Sequence, residues 1–229
     1  MVESMKILHI IAGAEQGGAE SCAVDTIRAL HAAGMEQTII CRPHRAFLTL
    51  VRDCAIDSHI LSFSRVLKWT QKAKINAIIK NEKPDLVHCW LNRAASFTPH
   101  QKTVPVLGWF GGYYDLKYYK SCAFFMGVTK DIVRYIGNAT KTPDRVYVGH
   151  AFGTLEAMGE VKKSDYGISG TTKVVLMLSR MHWKKGVDLL IDAASKIDDV
   201  VFLIAGDGPE MKKYQAQAHA LSLESRVLF

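Results

Sequence analysis

The chain of 229 residues has no apolar run that approaches the roughly 20 residues needed to cross a bilayer. Its first segment, MVESMKILHIIAGA, carries an acidic residue where a secretory signal peptide needs positive charge. We therefore expect a cytoplasmic protein that has no membrane-spanning helix.

Metal-site and disulfide patterns are also missing. The five cysteines are odd in number and scattered, and no two of them form a CxxC pair. This distribution argues against a disulfide framework and against a zinc site, and it favours buried thiols. The nine histidines lack metal-site spacing, so we expect strand residues such as His9 and His88 to be structural. The sequence predicts neither a metal nor another cofactor.

Standard nucleotide fingerprints are a third absence. The stretch GAEQGGAES, residues 13–21, follows an apolar run, but its glycine spacing matches neither the dinucleotide fingerprint nor a P-loop. An NADP-dependent oxidoreductase that uses Gly17, Gly18 and Arg42 is therefore disfavoured. A helix that begins directly after Gly17 and Gly18 would still offer free N–H groups and a positive dipole end to a phosphate or a sugar. The alternative is a tight turn that binds nothing.

Charge is what the sequence has in excess. Lys and Arg total 29 against 22 Asp and Glu, which gives a net charge of +7. Such an excess predicts an anionic partner, and a nucleotide diphosphate, a membrane surface or a nucleic acid would each satisfy it.

Apolar runs alternate with helical patterns along the chain, which is typical of a parallel sheet wrapped by helices and predicts an α/β fold. The predicted strands are 6–12, 37–41, 58–62, 85–90, 104–110, 123–129, 145–150, 173–179, 200–206 and 226–229. A glycine-rich polar stretch over residues 153–173 predicts a boundary between a domain at 1–160 and a second at 172–229. The second domain contains only three strands and two helices. We therefore expect it to be truncated, with one face of its sheet poorly covered.

Two loops of this second domain carry anion-binding chemistry. In LSRMHWKKGVDLLIDA, residues 178–193, Arg180 ends a strand, Lys185 lies in the next loop and Gly186 begins a helix. A guanidinium, an ammonium and a helix dipole that converge in this way suit a diphosphate. The stretch AGDGPE, residues 205–210, repeats the strand-loop-helix layout, and its proline suits a first helical turn.

Taken together, these motifs resemble the retaining glycosyltransferases of family 4, which have the GT-B fold of two Rossmann-like domains. The resemblance rests on GGAES, PDLVH (residues 84–88), RMHWKKG, AGDGPE and the segment at 111–136. It implies transfer of a hexose, with retained anomeric configuration, from a nucleotide-diphosphate sugar to a hydroxyl acceptor such as a lipid-linked or cell-envelope saccharide. It also implies that no cofactor and no nucleic acid take part.

The resemblance further implies roles for individual residues. Arg180, Lys185 and Gly186 would hold the donor diphosphate, and Gly17 and Gly18 would border the cleft between the domains. The nucleotide-side loop would comprise Gly206, Gly208, Pro209 and Glu210. No catalytic residue can be assigned, because the family's pair of glutamates falls in a region that this chain does not include. A non-catalytic module that binds a membrane or a partner protein is therefore the alternative function.

Two segments of the first domain are candidate acceptor contacts. In a helix over residues 65–83, five cations and Trp69 fall on one arc beside an apolar arc. This helix could rest on the anionic inner face of the cytoplasmic membrane. A surface helix that packs its isoleucines on the sheet is the alternative. Tyr113, Tyr114 and Asp115 follow the fifth strand and could contact a sugar, or they could form a packed aromatic loop.

Overall fold

The computed structural model describes residues 5–15, 17–153 and 159–229 and divides into two compact units, residues 1–155 and 156–229. The described residues of the first unit form seven strands: β1 (Lys6–Ile11), β2 (Glu36–Cys41), β3 (Asp57–Ile60), β4 (Leu86–Trp90), β5 (Val106–Phe110), β6 (Phe124–Gly127) and β7 (Val146–Val148). Its helices are α1 (Gly18–Ala32), α2 (Arg45–Asp53), α3 (Lys68–Glu82), α4 (Leu91–Phe97) and α5 (Lys130–Thr140), with short 3₁₀ helices at Leu116–Tyr119 and Pro143–Arg145.

The seven strands form one parallel sheet in the order β3-β2-β1-β4-β5-β6-β7. The predicted α/β class is confirmed, and the predicted strands agree with the observed ones to within a few residues at each end. The chain reverses its direction of travel across the sheet between β1 and β4. Ligands of open α/β sheets bind outside the carboxyl ends of the strands at such a switch point.

Right-handed crossovers determine which face each helix covers. Helices α3, α4 and α5 pack on one face, where Ile75, Ala94 and Ile136 are buried in the larger core. Helices α1 and α2 pack on the other face, against β1 and β2, where Ile27 and Leu50 are buried. On that second face, the part formed by β4, β5 and β6 borders an apolar cavity of about 320 Å³ that includes Trp90, Trp109 and Met126 among its lining residues.

The second unit contains a parallel sheet of three strands in the order β10-β9-β8. Its elements are a 3₁₀ helix at Lys163–Tyr166, β8 (Lys173–Leu178), a 3₁₀ helix at Trp183–Lys185, α6 (Val187–Ala194), β9 (Val200–Ala205), α7 (Met211–Ala220) and β10 (Val227–Leu228). Helices α6 and α7 cover one face through Ile191, Tyr214 and Ala218. The expected poorly covered face is present, because Leu176 and Leu178 are 54% and 75% exposed.

Candidate functional site

The glycine corner after β1 is organised by Glu20, whose role the sequence analysis did not identify. Glu20 lies in the first turn of α1, is 8% exposed, and accepts a hydrogen bond from the backbone N–H of Ala14 at 2.9 Å. A Cβ atom at Gly13 or Gly17 would collide with this carboxylate. The two glycines therefore make room for Glu20, and an acidic residue at the third helical position was the signal that could have indicated this role.

Arg42 fixes the other side of the corner. Its Nη1 donates a hydrogen bond to the carbonyl oxygen of Gly13 at 3.2 Å. The guanidinium at the end of β2 is thus engaged with the glycine loop itself.

A cavity of about 500 Å³ lies beside this corner. It is lined by Glu15, Gly17, Glu20, Ser21, Val24, Asp25 and Ala46. Three of the lining residues carry carboxylates, which repel a phosphate, whereas carboxylate oxygens are suited to accept hydrogen bonds from hydroxyl groups. The chemistry of the cavity therefore favours a neutral saccharide over an anion, and the assignment of Gly17 and Gly18 to an interdomain cleft stays a prediction.

Two buried histidines, His9 of β1 and His88 of β4, lie side by side on neighbouring strands of the sheet. The Trp90 indole N–H donates to His9 Nδ1 at 3.3 Å, so His9 Nε2–H donates to Gln37 Oε1 at 3.0 Å, and the Gln37 amide donates to the Ile27 carbonyl at 3.1 Å. Burial lowers the pKa of His9 to about 4, and only its neutral tautomer fits this chain of bonds. His9 is structural, as expected.

His88 lies beside His9, with ring centroids 5.4 Å apart. Burial, reinforced by the neighbouring His9, holds the pKa of His88 well below its ordinary value. Its Nε2 has no hydrogen-bond partner within the described part of the chain, and its ring borders the apolar cavity on the α1 side of the sheet.

Helix α4 begins directly after β4 without a loop. Leu91 makes this possible by adopting the left-handed region, at φ 66°, which costs a residue with a side chain about 1–2 kcal/mol. The turn leaves Asn92 and Arg93 at the carboxyl end of β4. Strain of this kind concentrates at functional sites.

The three predicted residues of the segment after β5 each contact a neighbouring part of the first unit. The Tyr113 hydroxyl donates to the Asp131 carboxylate, which raises the pKa of Tyr113. Tyr114 is half-buried and packs on Phe110, and burial followed by the charge of Glu20 raises its pKa. Asp115 caps the 3₁₀ helix through the backbone N–H of Lys117 at 2.9 Å, and Lys117 lowers the pKa of that carboxyl. A role of these residues in acceptor binding stays a prediction.

In the second unit, the loop after β8 presents the predicted cations. Arg180 and Lys185 are exposed, and neither forms an ion pair with any residue that the structure describes. His182 Nδ1 accepts the backbone N–H of Lys184 at 3.3 Å and so caps the 3₁₀ helix that carries Lys185. Gly186 adopts φ 69° at the start of α6, a conformation that glycine adopts without strain.

The loop after β9 lies against the loop after β8. Met181 N–H donates to the Asp207 carbonyl at 2.9 Å, and Glu210 N–H donates to the Met181 carbonyl at 3.1 Å. Gly206 and Gly208 permit this approach, because a Cβ atom at either position would collide with the backbone of residues 179–181. The two predicted loops thus form one surface at the carboxyl ends of β8 and β9, bordered by Pro209 and Glu210. Unpaired cations beside exposed backbone at this edge are suited to binding an anion.

No helix in the described residues has the length and apolarity that a membrane crossing requires. Within the same residues, no three His, Cys, Asp or Glu side chains lie close enough together to hold a metal ion.

Comparison with known proteins identifies relatives over both units. The family described as Glycosyl transferases group 1 matches residues 159–229, and the family described as Glycosyltransferase Family 4 matches residues 16–148. The chain is 28% identical over 231 residues to the lipopolysaccharide core biosynthesis glycosyltransferase LpsD of Rhizobium meliloti. That match covers 98% of this chain and 66% of LpsD, so the chain spans just under two thirds of that relative's length.

Solved structures support the fold. A glycosyltransferase from Rickettsia africae superposes with a TM-score of 0.76 at 19% identity, covering 99% of this chain and 68% of that protein. Anabaena HepE in complex with UDP superposes with a TM-score of 0.74 at 18% identity, covering 98% and 68%. These likenesses confirm the expected GT-B fold. Because the Glycosyltransferase Family 4 match alone spans more than half of the chain, the protein belongs to glycosyltransferase family 4.

Proposed function

We propose that the protein transfers a hexose from a UDP-sugar to a hydroxyl of a cell-envelope saccharide of the lipopolysaccharide core type, with retained anomeric configuration. The observation that carries the proposal is the single surface formed by the two loops of the second unit, with Arg180 and Lys185 unpaired beside it. The relative LpsD is named for lipopolysaccharide core biosynthesis, and HepE binds UDP. These names supply the proposed donor and acceptor.

In the proposed reaction, the bond between the anomeric carbon and the diphosphate oxygen breaks, and negative charge develops on the departing UDP. The acceptor hydroxyl oxygen bonds to the anomeric carbon, and its proton passes to the departing diphosphate. Arg180 and Lys185 would pair with that charge, and the α6 N-terminus at Gly186 would add its dipole. Because the diphosphate gains negative charge as this bond breaks, the two cations would stabilise the departing UDP more than the bound UDP-sugar, whose diphosphate carries less negative charge. Positively charged side chains would neutralise the charge of the diphosphate, for which other enzymes use a metal ion. We therefore propose that no cofactor is required.

The nucleotide would lie on the loop after β9. Gly206 and Gly208 keep this loop close to the backbone of residues 179–181, and Pro209 and Glu210 lead it into α7. A base and ribose that follow the diphosphate would therefore contact the loop that adjoins Arg180.

The acceptor would be bound by the first unit. We propose that residues 65–69, which lead into the first turn of α3, make peripheral contact with an anionic membrane, because Val66 and Trp69 are 93% and 90% exposed next to Arg65 and Lys68. Ile75 and Ile79 of the same helix are buried in the core, so the contact would involve its first turn only. Flotation with phosphatidylglycerol vesicles tests this point, and equal recovery of the Trp69→Ser variant and the unmodified chain would contradict it.

Calorimetric titration tests the donor site. We expect UDP to bind more tightly than GDP or ADP, and we expect binding to fall at least tenfold in an Arg180→Ala, Lys185→Ala variant, since two charge-assisted contacts are lost. A Lys196→Ala, Lys212→Ala variant is the control, because it removes the same charge from exposed positions of the same unit. Equal loss in both variants would mean that binding follows net charge alone. Failure of the unmodified chain to bind any of the three nucleotides would favour the non-catalytic binding module.

A further inference from the structure

A cation-lined groove crosses the first unit between α3, α4 and the 3₁₀ helix Leu116–Tyr119. It consists of two adjoining cavities of about 470 and 490 Å³ that share Lys68, Ser96 and Tyr118. Each volume is in the range of small-molecule sites, roughly 300–1,000 Å³. One end of the groove reaches Asn92 and Arg93 at the carboxyl end of β4, which is the edge where open α/β sheets bind ligands.

The charges of the groove are of one sign. Its cations are Arg65, Lys68, Lys72, Arg93, Lys117 and Lys120, with His100 beside them, and no Asp or Glu is among the described residues that line it. Of these cations, only Lys117 forms an ion pair with a described carboxylate, that of Asp115 at 2.6 Å. The other cations have no described carboxylate as a partner, and an anion in the groove would pair with them.

Lys72 is affected by the positive charge of its neighbour Lys68. Burial lowers the pKa of Lys72, and the neighbouring charge of Lys68 lowers it further. The Lys68 ammonium itself lies over the Phe97 ring, 5.4 Å from the centroid. Both residues line the groove, and the ring and the ammonium attract each other.

The hydroxyl groups of the groove favour a sugar. Ser96 Oγ donates to the Arg93 carbonyl at 2.9 Å, and Ser121 Oγ donates to the Ala95 carbonyl at 3.2 Å. Because their protons are used by the main chain, both oxygens offer lone pairs to the groove and accept hydrogen bonds from sugar hydroxyls. Cations next to such acceptors match a phosphate group that is attached to a saccharide.

We propose that this groove binds a phosphorylated saccharide, with the phosphate on Lys68, Lys72 and Lys120 and the sugar hydroxyls on Ser96 and Ser121. The proposal rests on the proposed function in that the saccharide would be the acceptor or a phosphorylated neighbour of the accepting sugar. The ligand is a soluble head group in a concave site, whereas the proposed membrane contact would involve the exposed Val66 and Trp69; Arg65 and Lys68 border both surfaces.

The test uses glucose 6-phosphate, inorganic phosphate and glucose as probes in an NMR titration of the full chain. All titrations are made with the Arg180→Ala, Lys185→Ala variant, so that the donor loops do not contribute. We expect glucose 6-phosphate to shift the amide signals of residues 65–72, 91–98 and 117–121 and to bind more tightly than either of the other two probes. Equal affinity for glucose 6-phosphate and inorganic phosphate would overturn the saccharide assignment.

Variants locate the site. Adding Lys72→Gln and Lys120→Gln should weaken glucose 6-phosphate binding about tenfold or more, whereas adding Lys74→Gln and Lys130→Gln, two exposed cations outside the groove, should leave it unchanged. Circular dichroism melting curves verify that each variant is folded. Equal weakening in both pairs would overturn the proposal. So would vesicles of phosphatidylglycerol that bind through Lys72 and Lys120 while glucose 6-phosphate does not bind.

Failure of this proposal and failure of the proposed function are distinguishable. UDP binding by the unmodified chain without glucose 6-phosphate binding would refute the groove alone. Glucose 6-phosphate binding without UDP binding would support the groove and would favour the non-catalytic binding module over the transferase.

Discussion

Glu20 lies between Gly13 and Gly17 and accepts the N–H of Ala14, so the glycine corner depends on one carboxylate. We expect Glu20→Ala to lower the free energy of unfolding by about 1–3 kcal/mol, because the Ala14 N–H loses a partly buried acceptor. Urea denaturation measures the change. Glu15→Ala is the matched control, since Glu15 is exposed in the same loop and should have no measurable effect. Equal losses in the two variants would contradict the role assigned to Glu20.

His9 makes stability depend on pH. Its pKa falls from 6.5 in the unfolded chain to about 4 in the folded one, so the unfolded state binds the extra proton between these values. The free energy of unfolding should therefore decrease as the pH falls from 6.5 towards 4, by about 3 kcal/mol from this residue at 1.36 kcal/mol per pKa unit. His88 should act in the same direction.

A comparison with His9→Gln isolates this contribution, because the carboxylates that titrate over the same range are common to both proteins. Urea denaturation at steps between pH 7 and pH 4 should give a shallower decrease for the variant. Parallel pH profiles would show that His9 takes up no proton on unfolding.

Among the elements, the loops after β8 and β9 show how backbone packing brings two loops together at the proposed donor site. Gly206 adopts φ 148°, and a Cβ atom there would lie 2.9 Å from the carbonyl carbon of Ser179 and closer still to its oxygen. Backbone atoms cannot rotate out of the way as a side chain does. We expect Gly206→Ala to separate the two loops, to destabilise the second unit by about 1–3 kcal/mol and to weaken UDP binding.

Gly170→Ala is the control for this prediction, because a Cβ atom at Gly170 meets open space in the same unit. Calorimetry with UDP and thermal unfolding measure both effects. Unchanged UDP affinity in Gly206→Ala would show that the contact between the loops does not shape the nucleotide site.

Most elements of the fold could be predicted from the sequence, because apolar runs of strand length and glycine-marked helix ends are local signals. The strand predicted at 85–90 is observed at Leu86–Trp90, and the helix considered directly after Gly17 and Gly18 is observed to begin at Gly18. The left-handed Leu91 could not be predicted, because leucine carries no preference for that conformation. The sequence predicts that the cations of 65–83 share one arc of a single helix. In the structure, Arg65 precedes α3, and Lys68 and Lys72 line the groove.

At the level of the whole molecule, the groove shows why part of the site could not be predicted. Residues 65–72, 92–100 and 117–121 come together because α3, α4 and the 3₁₀ helix lie on the same face of one sheet. No periodicity in the sequence indicates that these three segments lie next to one another. In contrast, the loops with Arg180 and Gly206 each follow a strand directly, so their common edge follows from the parallel order of β8 and β9.

The two units should therefore respond to different ligands, and hydrogen exchange followed by mass spectrometry can separate the responses. We expect UDP to slow exchange in residues 179–186 and 206–210, because binding to the folded state lowers the population of locally opened forms. Glucose 6-phosphate should instead protect residues 65–72, 91–98 and 116–121. Arg180→Ala, Lys185→Ala should abolish the first pattern and preserve the second, while Lys72→Gln, Lys120→Gln should do the reverse. Protection of the same peptides by both ligands would mean that a single cationic site serves donor and saccharide phosphate alike.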